Sequence, residues 1–510
     1  MSATTATPVV ETTMDEIEVI LTRAKEGPLS EEERELLRSL AESYLTVLSE
    51  IEDKKTTIER LRRMVFGAKT ETRANVEKQA GKAPAGGSEK KPAKKKRKRK
   101  GHGRIPAEAY VGAEKVKVPH ESLMSGDRCR LCPGTVYDEK QKPAVSVRIR
   151  GSAPFVATVY EQQRLRCGLC GEVFTAKLPA EAGTGEKFDE TVASMVALLR
   201  YGNGLPMNRI ENLQKVMGMP FPSSTQWELV AAAAKKIAAA HTELIRQAAQ
   251  GVILYNDDTP MKILEFMVEQ RKRKERGEKP PDRTGTFTSG IVSELSDGQK
   301  IVLYFTGKRH AGENLTEVLK KRGSGLDPPI QMCDALDRNV PKGLKTILSN
   351  CIVHARRGFV DVAAGFPDEV AHVIDEFALV YQNDDQAKVG GMSAEERLGF
   401  HQAASGPIMN RLKDWMDAQI AEKKVEPNSG LGKAIKYCTK RWEKLTLFLR
   451  EPGAPLDNSI TERMLKKAIV HRKNSLFYKT QNGAAVGDLY MALIATAKLA
   501  NANPFDYLNE

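Results

Sequence analysis

The stretch 251-GVILYNDDTP-260 decides the reading of the fold. Its first half, "GVILY", is a short apolar run of the kind that forms a buried strand. Two neighbouring acids, Asp257 and Asp258, follow at once. Adjacent carboxylates repel unless a cation lies between them or the pleat sends them to opposite faces. The pair is therefore either a solvated turn or half of a metal site.

Outward from this stretch, residues 268–285 ("VEQRKRKERGEKPPDRTG") read as a charged loop. "TFTSGIVSEL" (286–295) and "KIVLYFTG" (300–307) read as two further strands, "GENLTEVLKKRG" (312–323) as a helix, and "PPIQMCDA" (328–335) as a fourth strand. Three antiparallel strands, a helix and another strand follow the order of an RNase H-like core. In that order the first and fourth strands are neighbours, so Asp257 and Asp334 meet at their ends although 77 residues separate them. Asp337, three residues on, is a rival for the second position. Residues 336–450 read as mostly helical. In "PLDNSITERMLKKAIVHRKNSLFYKT" (455–480), Asp457 or Asn458 is placed to cap a helix, and Asn458 and Glu462 share a face. A carboxylate among Arg463, Lys466 and Lys467 is either a surface ion-pair network or a third metal ligand beside DNA phosphates.

The other segments suggest a nucleic-acid partner. The 510-residue chain carries a net charge of +13 and a pI near 9.2, a balance that favours polyanions. No apolar run is long enough to span a bilayer and the N-terminus has no signal-peptide pattern, so a cytoplasmic, nucleoid-associated protein is expected. Within 14–71, a capping box at Ser30 and Glu33 opens a heptad seam through Leu37, Leu40, Tyr44, Val47, Ile51, Ile58, Leu61 and Val65. It suits a coiled-coil homo-oligomer, or a helix packed on its own chain. Residues 72–105 lack core-forming side chains and read as a disordered linker. Nine of the eleven residues Lys90–Lys100 are basic, with Lys94, Lys95, Lys96 and Arg97 at the centre. Such a run is a spacer, a targeting address or an arm that tracks phosphates.

Residues 106–180 hold Cys129-x-x-Cys132 and Cys167-x-x-Cys170 between strand-like segments. Four thiolates on two knuckles make a closed structural Zn²⁺ site, a zinc ribbon. Residues 187–250 read as a helix, the break "YGNGLP", a second helix, the break "GMPFPS", and a long helix from Ser223 or Ser224. This is either a helix-turn-helix-like DNA-binding module or plain scaffold. The fold class expected overall is multidomain α+β. The catalytic core would run through 251–335 and 451–510, with 336–450 as a helical insertion.

"YNDDTPMKIL", "CIVHARRGFVDV" (351–362) and "LDNSITERMLKKAIVHRKNSLF" together resemble the large DDE transposase of the insertion sequence 66 family, whose motifs are D-E-T-P, W-A-H-x-R-R-x-F and N-N-x-x-E-R followed by R-K-N. "TIERLRRMVFGAKTE", the paired cysteines, "YGNGLPMNRIENLQKVMG" and "LYMALIATAKLANANPFDYL" match the family in order, so the likeness covers nearly the whole chain. It implies a catalytic triad of Asp257, Asp334 and Glu462 holding two Mg²⁺ or Mn²⁺ ions, which cut and join double-stranded transposon and target DNA. Small accessory proteins of the same element are implied as partners. The chain departs from the pattern in "DALDRN" for D-G-Y, in Ser459 for the second Asn, and in Ile352 or Val353 for Trp. DNA contacts are expected from His354, Arg356 and Arg357, from Arg472 and Lys473 after the Glu462 helix, and from Arg309 in "KRHAGEN" (308–314). Two other readings compete: a catalytically inactive or domesticated DNA-binding protein, and a structure-selective nuclease. The first is excluded only if the three acids converge.

Overall fold

The computed structural model describes residues 187–279 and 283–510, with shorter pieces at 27, 30–31, 34, 122, 124–128, 131–136, 153–166 and 173–180. The basic run and the whole heptad seam from Leu37 to Val65 lie outside the described residues, as do Cys129, Cys167 and Cys170. The chain divides into two compact units. Residues 358–378 fall in one of them, and the elements that build the site belong to the other.

In chain order that second unit starts with a two-stranded antiparallel hairpin, β1 (Arg164–Arg166) and β2 (Val173–Thr175). Helices α1 (Glu190–Ala197), α2 (Met207–Val216), α3 (Ser223–Lys236) and α4 (Ala238–Ala248) follow. The long helix expected from Ser223 does begin there but breaks at Ile237, giving α3 and α4. A five-stranded sheet comes next, built from β3 (Ile253–Pro260), β4 (Phe287–Glu294), β5 (Lys300–Gly307), β6 (Ile330–Cys333) and β7 (Ile347–Asn350). Its spatial order is β5-β4-β3-β6-β7. The first three strands are antiparallel, while β6 runs parallel to β3 and β7 parallel to β6. The expected pairing of first and fourth strands is present, with Ile253 opposite Ile330 and Tyr255 opposite Met332.

Two local expectations are corrected. The segment read as a charged loop is helical in its first part: residues 268–275 complete α5 (Leu264–Glu275). It buries no residue, so it has no apolar stripe to betray it. Pairs at i,i+4 support it instead, Arg271–Glu275 and Arg273–Glu269 at 3.0 Å each, and such pairs stabilise a helix by a few tenths of a kcal/mol. Its first turn is also anchored, with Leu264 and Glu265 N–H donating to the carbonyls of Tyr478 and Lys479. The fifth strand, β7, lies within 336–450, which reads as mostly helical; four residues carry little pattern of their own.

Helix α6 (Ala311–Leu319) follows β5. Helix α7 (Ile352–Val360) follows β7 and leads into α8 (Pro367–Val389), α9 (Ala394–Ala404), α10 (Gly406–Ala421), α11 (Gly430–Lys440) and the short α12 (Trp442–Leu445). The chain then returns to the sheet as α13 (Ser459–Ser475) and α14 (Gln481–Leu499), and ends in α15 (Pro504–Asn509). The sheet's open edge would leave the outward N–H groups of β5 unpaired. Helix α14 closes it: Thr496 Oγ1 accepts from Val302 N at 3.0 Å, and Asp488 accepts from Thr306 N and Oγ1 at 2.6 Å each. Leu254, Ile291, Leu303, Tyr304 and Met332 are fully buried and form the centre of the core.

The two faces of the sheet carry different helices, and one register sets both. Gly290 lies opposite Asp257, and Ser289 opposite Asp258. Directly opposed residues share a face and consecutive ones alternate. Asn314 of α6 donates to Ser289 Oγ at 2.9 Å, so α6 covers the Asp258 face. A Cβ on Gly290 would stand 2.9 Å from Leu465 Cδ2 and 3.5 Å from Thr461 Cγ2, so α13 covers the Asp257 face. The missing side chain lets α13 come this close. Among the described residues, no helix is long and apolar enough to cross a membrane.

Candidate active site

Asp257 projects from β3 toward α13, and Asp334 follows the last residue of β6. β3 and β6 are parallel neighbours, and the register that sets Tyr255 beside Met332 brings Asp257 level with Asp334 just past the end of β6, a usual place for sites in such sheets. The side-chain nitrogen of Asn339 joins the two acids. It donates to Asp334 Oδ1 through a short bond and reaches Asp257 Oδ1 at 3.4 Å. Asp334 is buried, whereas Asp337 is exposed on the short 3₁₀ turn Asp337–Asn339.

Asn339 is itself held by a buried amide network. Its carbonyl accepts from Asn256 Nδ2 at 2.7 Å and from Gln331 Nε2 at 2.8 Å, and Gln331 Nε2 also donates to Asn256 Oδ1. These three amides went unnoticed in the sequence, where a lone Asn or Gln carries no pattern. Asn339→Leu should leave Asp257 and Asp334 without a shared donor. A loss of about 1–3 kcal/mol in stability is expected, and a thermal melt of the variant checks it.

Glu462 comes from the first turn of α13. The helix starts where Asp457 Oδ1 accepts the Ser459 N–H at 2.9 Å, so Asp457 supplies the side-chain cap. Asn458 instead donates its amide to the Asn256 carbonyl at 3.1 Å and its backbone N–H to Cys351 Sγ at 3.3 Å. Those bonds fix the start of α13 against β3. Thr461, Leu465, Ala468 and His471 form its buried stripe.

The electrostatics tie Glu462 to Asp257. The Asp257 carboxyl is pushed up to about 7, first by burial and then by the charge of Asp334, with smaller contributions from Asp258 and Glu462; the Asp258 N–H donated to its Oδ1 works the other way. Asp257 thus sits where negative charge gathers, a place for a cation. Glu462 Oε1 is buried without a hydrogen-bond partner, as unused ligand capacity. In donor chemistry, three hard carboxylates suit Mg²⁺ or Mn²⁺.

Asp258 is the neighbour turned away. Its side chain is 1% exposed and meets His310 Nδ1 at 2.8 Å and Arg338 Nη2 at 3.4 Å. His354 stands on the other side of Glu462, with Nδ1 3.9 Å from Oε1. Donor atoms of Cys351, His354 and Glu462 all lie within 4.8 Å of one another. A sulfur, nitrogen and oxygen set suits a softer ion such as Zn²⁺ better than Mg²⁺. Burial pushes the Cys351 thiol up to about 11, which keeps it protonated without such an ion.

The remaining sequence candidates are spread out. Arg463 and Lys466 are exposed on α13. Lys467 turns inward, with a buried Nζ that has no hydrogen-bond partner and a pKa lowered to about 8 by burial and by Lys498. Arg472 donates to Thr259 Oγ1 at 3.1 Å and to the Pro260 carbonyl, which pins the end of α13 to the end of β3. Lys473 is exposed. Arg356 is half-buried and Arg357 exposed on α7. Arg309 lies before α6, hence toward the Asp258 face, 4.0 Å from Glu317. Of the four cysteines, Cys132 alone is described, as an exposed free thiol.

The family model described as "Transposase IS66 family" matches residues 185–486, which takes in the whole sheet and all three acids. The chain belongs to the IS66 transposase family. Curated relatives from Sinorhizobium fredii carry no assigned function. "Uncharacterized protein y4jD" is 36% identical over 165 residues, 32% of this chain and 31% of that protein. "Uncharacterized protein y4hP" is 22% identical over 68% of this chain and 63% of its own length, and "Uncharacterized protein y4qI" 23% identical over 63% and 58%. The chain thus spans less than two thirds of each of these relatives.

Proposed function

We propose that this IS66-family chain is an active DDE transposase, with Asp257, Asp334 and Glu462 as the ligands of two Mg²⁺ or Mn²⁺ ions. One observation carries the reading. A single amide nitrogen, on Asn339, bonds both aspartates, and Glu462 is near enough for its charge to raise the Asp257 pKa. The order β5-β4-β3-β6-β7, with the acids at the ends of β3 and β6 and the third on a helix over β3 and β4, is that of an RNase H-like core. Asp257, Asp334 and Glu462 would hold the ions, which would supply charge stabilisation for an in-line displacement at phosphorus. The protein's share is to hold three carboxylates in place through Asn339, Asn256 and Asn458. Strand transfer requires DNA but no covalent protein intermediate.

The Cys129, Cys132, Cys167 and Cys170 set is assigned to one structural Zn²⁺. In support, each cysteine pair is bracketed by antiparallel pairing, Arg128 with Thr135 and Arg166 with Val173. Self-association through the N-terminal heptads, and DNA contact by the basic run at Lys94–Arg97, remain part of the proposal on sequence grounds. The test is an oligonucleotide carrying candidate transposon ends, incubated with Mg²⁺ and a target duplex. Cleavage and strand joining by wild type, both lost in Asp334→Asn while end binding persists, are expected. End binding without Mg²⁺-dependent cleavage in wild type itself would instead identify a DNA-binding protein derived from a transposase.

A further inference from the structure

A cavity of about 540 Å³ opens directly beside Asp334. That is within the roughly 300–1,000 Å³ of small-molecule pockets, room enough for one nucleotide. One wall is the turn after β6, through Asp337, Pro341 and Lys342, and its base includes Leu348 of β7. The facing wall is cationic: Lys440 at the end of α11, Arg441 in the junction, and Lys444 in α12. The sheet fixes this wall in place, since Ser349 Oγ of β7 donates to the Lys444 carbonyl at 3.5 Å. Arg441 is held flat, its guanidinium 4.4 Å from the Tyr437 ring centroid, while Lys440 and Lys444 are exposed.

The charge of this wall is not consumed within the protein. None of these three cations is in an ion pair among the described residues, and Asp334 and Asp337 are the carboxylates that share the cavity with them. One cation at a helix C-terminus answers that helix's own carbonyls. Three on one wall of a cavity, with Lys342 on the other, exceed that need. They suit a ligand that carries negative charge.

We propose that this cavity seats the nucleotide next to the cleaved bond of the DNA strand, with its phosphate on Lys440, Arg441 and Lys444. The inference rests on the reading of Asp334 as a metal ligand and adds a polarity to it. The strand enters the site from the α11–α12 side and leaves past Asp257 and Glu462. The helical insertion thereby becomes part of the DNA-binding surface, through residues that no sequence motif marks.

The test uses the full chain in EDTA, so that binding is measured apart from cleavage, with a labelled duplex carrying a single-stranded 3′ extension. Lys440→Gln/Lys444→Gln changes two exposed residues and should melt as wild type does. Each lost phosphate contact is expected to reduce the slope of log K against log salt by about 0.7–0.9. The double variant should lose about 1.4–1.8, and Arg441→Gln a further step. Lys423→Gln/Lys424→Gln, away from the cavity, should leave the slope unchanged. Identical slopes for the cavity variant and wild type would overturn the proposal, and so would an equal loss in both double variants, which would indicate general charge. Failure of the metal-ligand reading looks different: the cavity variant loses its slope, yet Asp334→Asn still cleaves with Mg²⁺.

Discussion

Asp257→Asn should abolish DNA strand cleavage and joining while leaving DNA binding in place. The expected fall exceeds the roughly 10- to 100-fold that follows from mutating a ligand's hydrogen-bond partners, because here the ligand itself is lost. Asparagine keeps the shape and both hydrogen-bonding positions, so the amide network survives. It removes the charge that draws a divalent cation. The same substitution should act in the opposite direction on stability. In metal-free protein Asp257 is half-buried near Asp334, Asp258 and Glu462, and its pKa is raised from 3.8 to about 7. An acid with a raised folded-state pKa binds more protons folded than unfolded over that interval. Its stabilising contribution is complete below about pH 4 and is lost as the pH rises through 7. Metal-free wild type should therefore melt at progressively lower temperature between pH 4 and 7. Asp488, also raised to about 7 by burial, adds to the same trend. Asp257→Asn should flatten the part due to Asp257 and melt higher than wild type at pH 7 in EDTA. Mg²⁺ should raise the midpoint of wild type and leave that of the variant nearly unmoved. A variant that cleaves at the wild-type rate would remove Asp257 from the metal site.

Gly290→Val should disable the same chemistry without touching an acid. The first added carbon would already lie 2.9 Å from Leu465 Cδ2 and 3.0 Å from Leu465 Cγ, inside van der Waals contact. A branched side chain therefore lifts α13 from the sheet or forces Leu465 out of its rotamer. Overpacking of this kind costs about 1–3 kcal/mol. The catalytic consequence is larger than the stability loss suggests, because Glu462 is three residues from Leu465 on the same helix. Misplacement of a reacting group by about 1 Å can cost on the order of 100-fold in rate. Thermal melting and single-turnover cleavage together measure both effects. The cause is tested by compensation: Leu465→Ala placed with Gly290→Val reopens the space and should restore much of the activity, although Leu465→Ala alone destabilises. If the double variant is no better than Gly290→Val, the close approach of α13 to β4 is not what matters at this position.

Much of the core was readable because its signals are local. The run 251–255 announces a buried strand, and the alternation beyond it sends Asp257 and Asp258 to opposite faces in any extended backbone. The order of strands and helix from 251 to 335 restricts the sheet to few topologies. Signals failed where an element has no buried periodicity. Helix α5 is held by surface ion pairs and two anchoring hydrogen bonds, and β7 is four residues long. Asn458 illustrates the same limit at one residue. Its position before a helix suggested a cap, but a neighbouring acid caps instead and its amide spans to Asn256, 202 residues away in the chain.

The sequence by itself determined the strand that carries Asp257, the separation of its two acids and the family to which the chain is similar. Tertiary structure alone decided that Asn339 links two carboxylates, that Gly290 admits the Glu462 helix, and that Lys440, Arg441 and Lys444 face a cavity at Asp334. Strand patterning arises between residues one or two apart, where backbone geometry alone fixes which face each side chain takes. An amide bridge, a missing Cβ and an unpaired cationic wall acquire meaning only when distant segments pack together. Nothing in the local chemistry of an Asn, a Gly or a Lys announces that partner in advance.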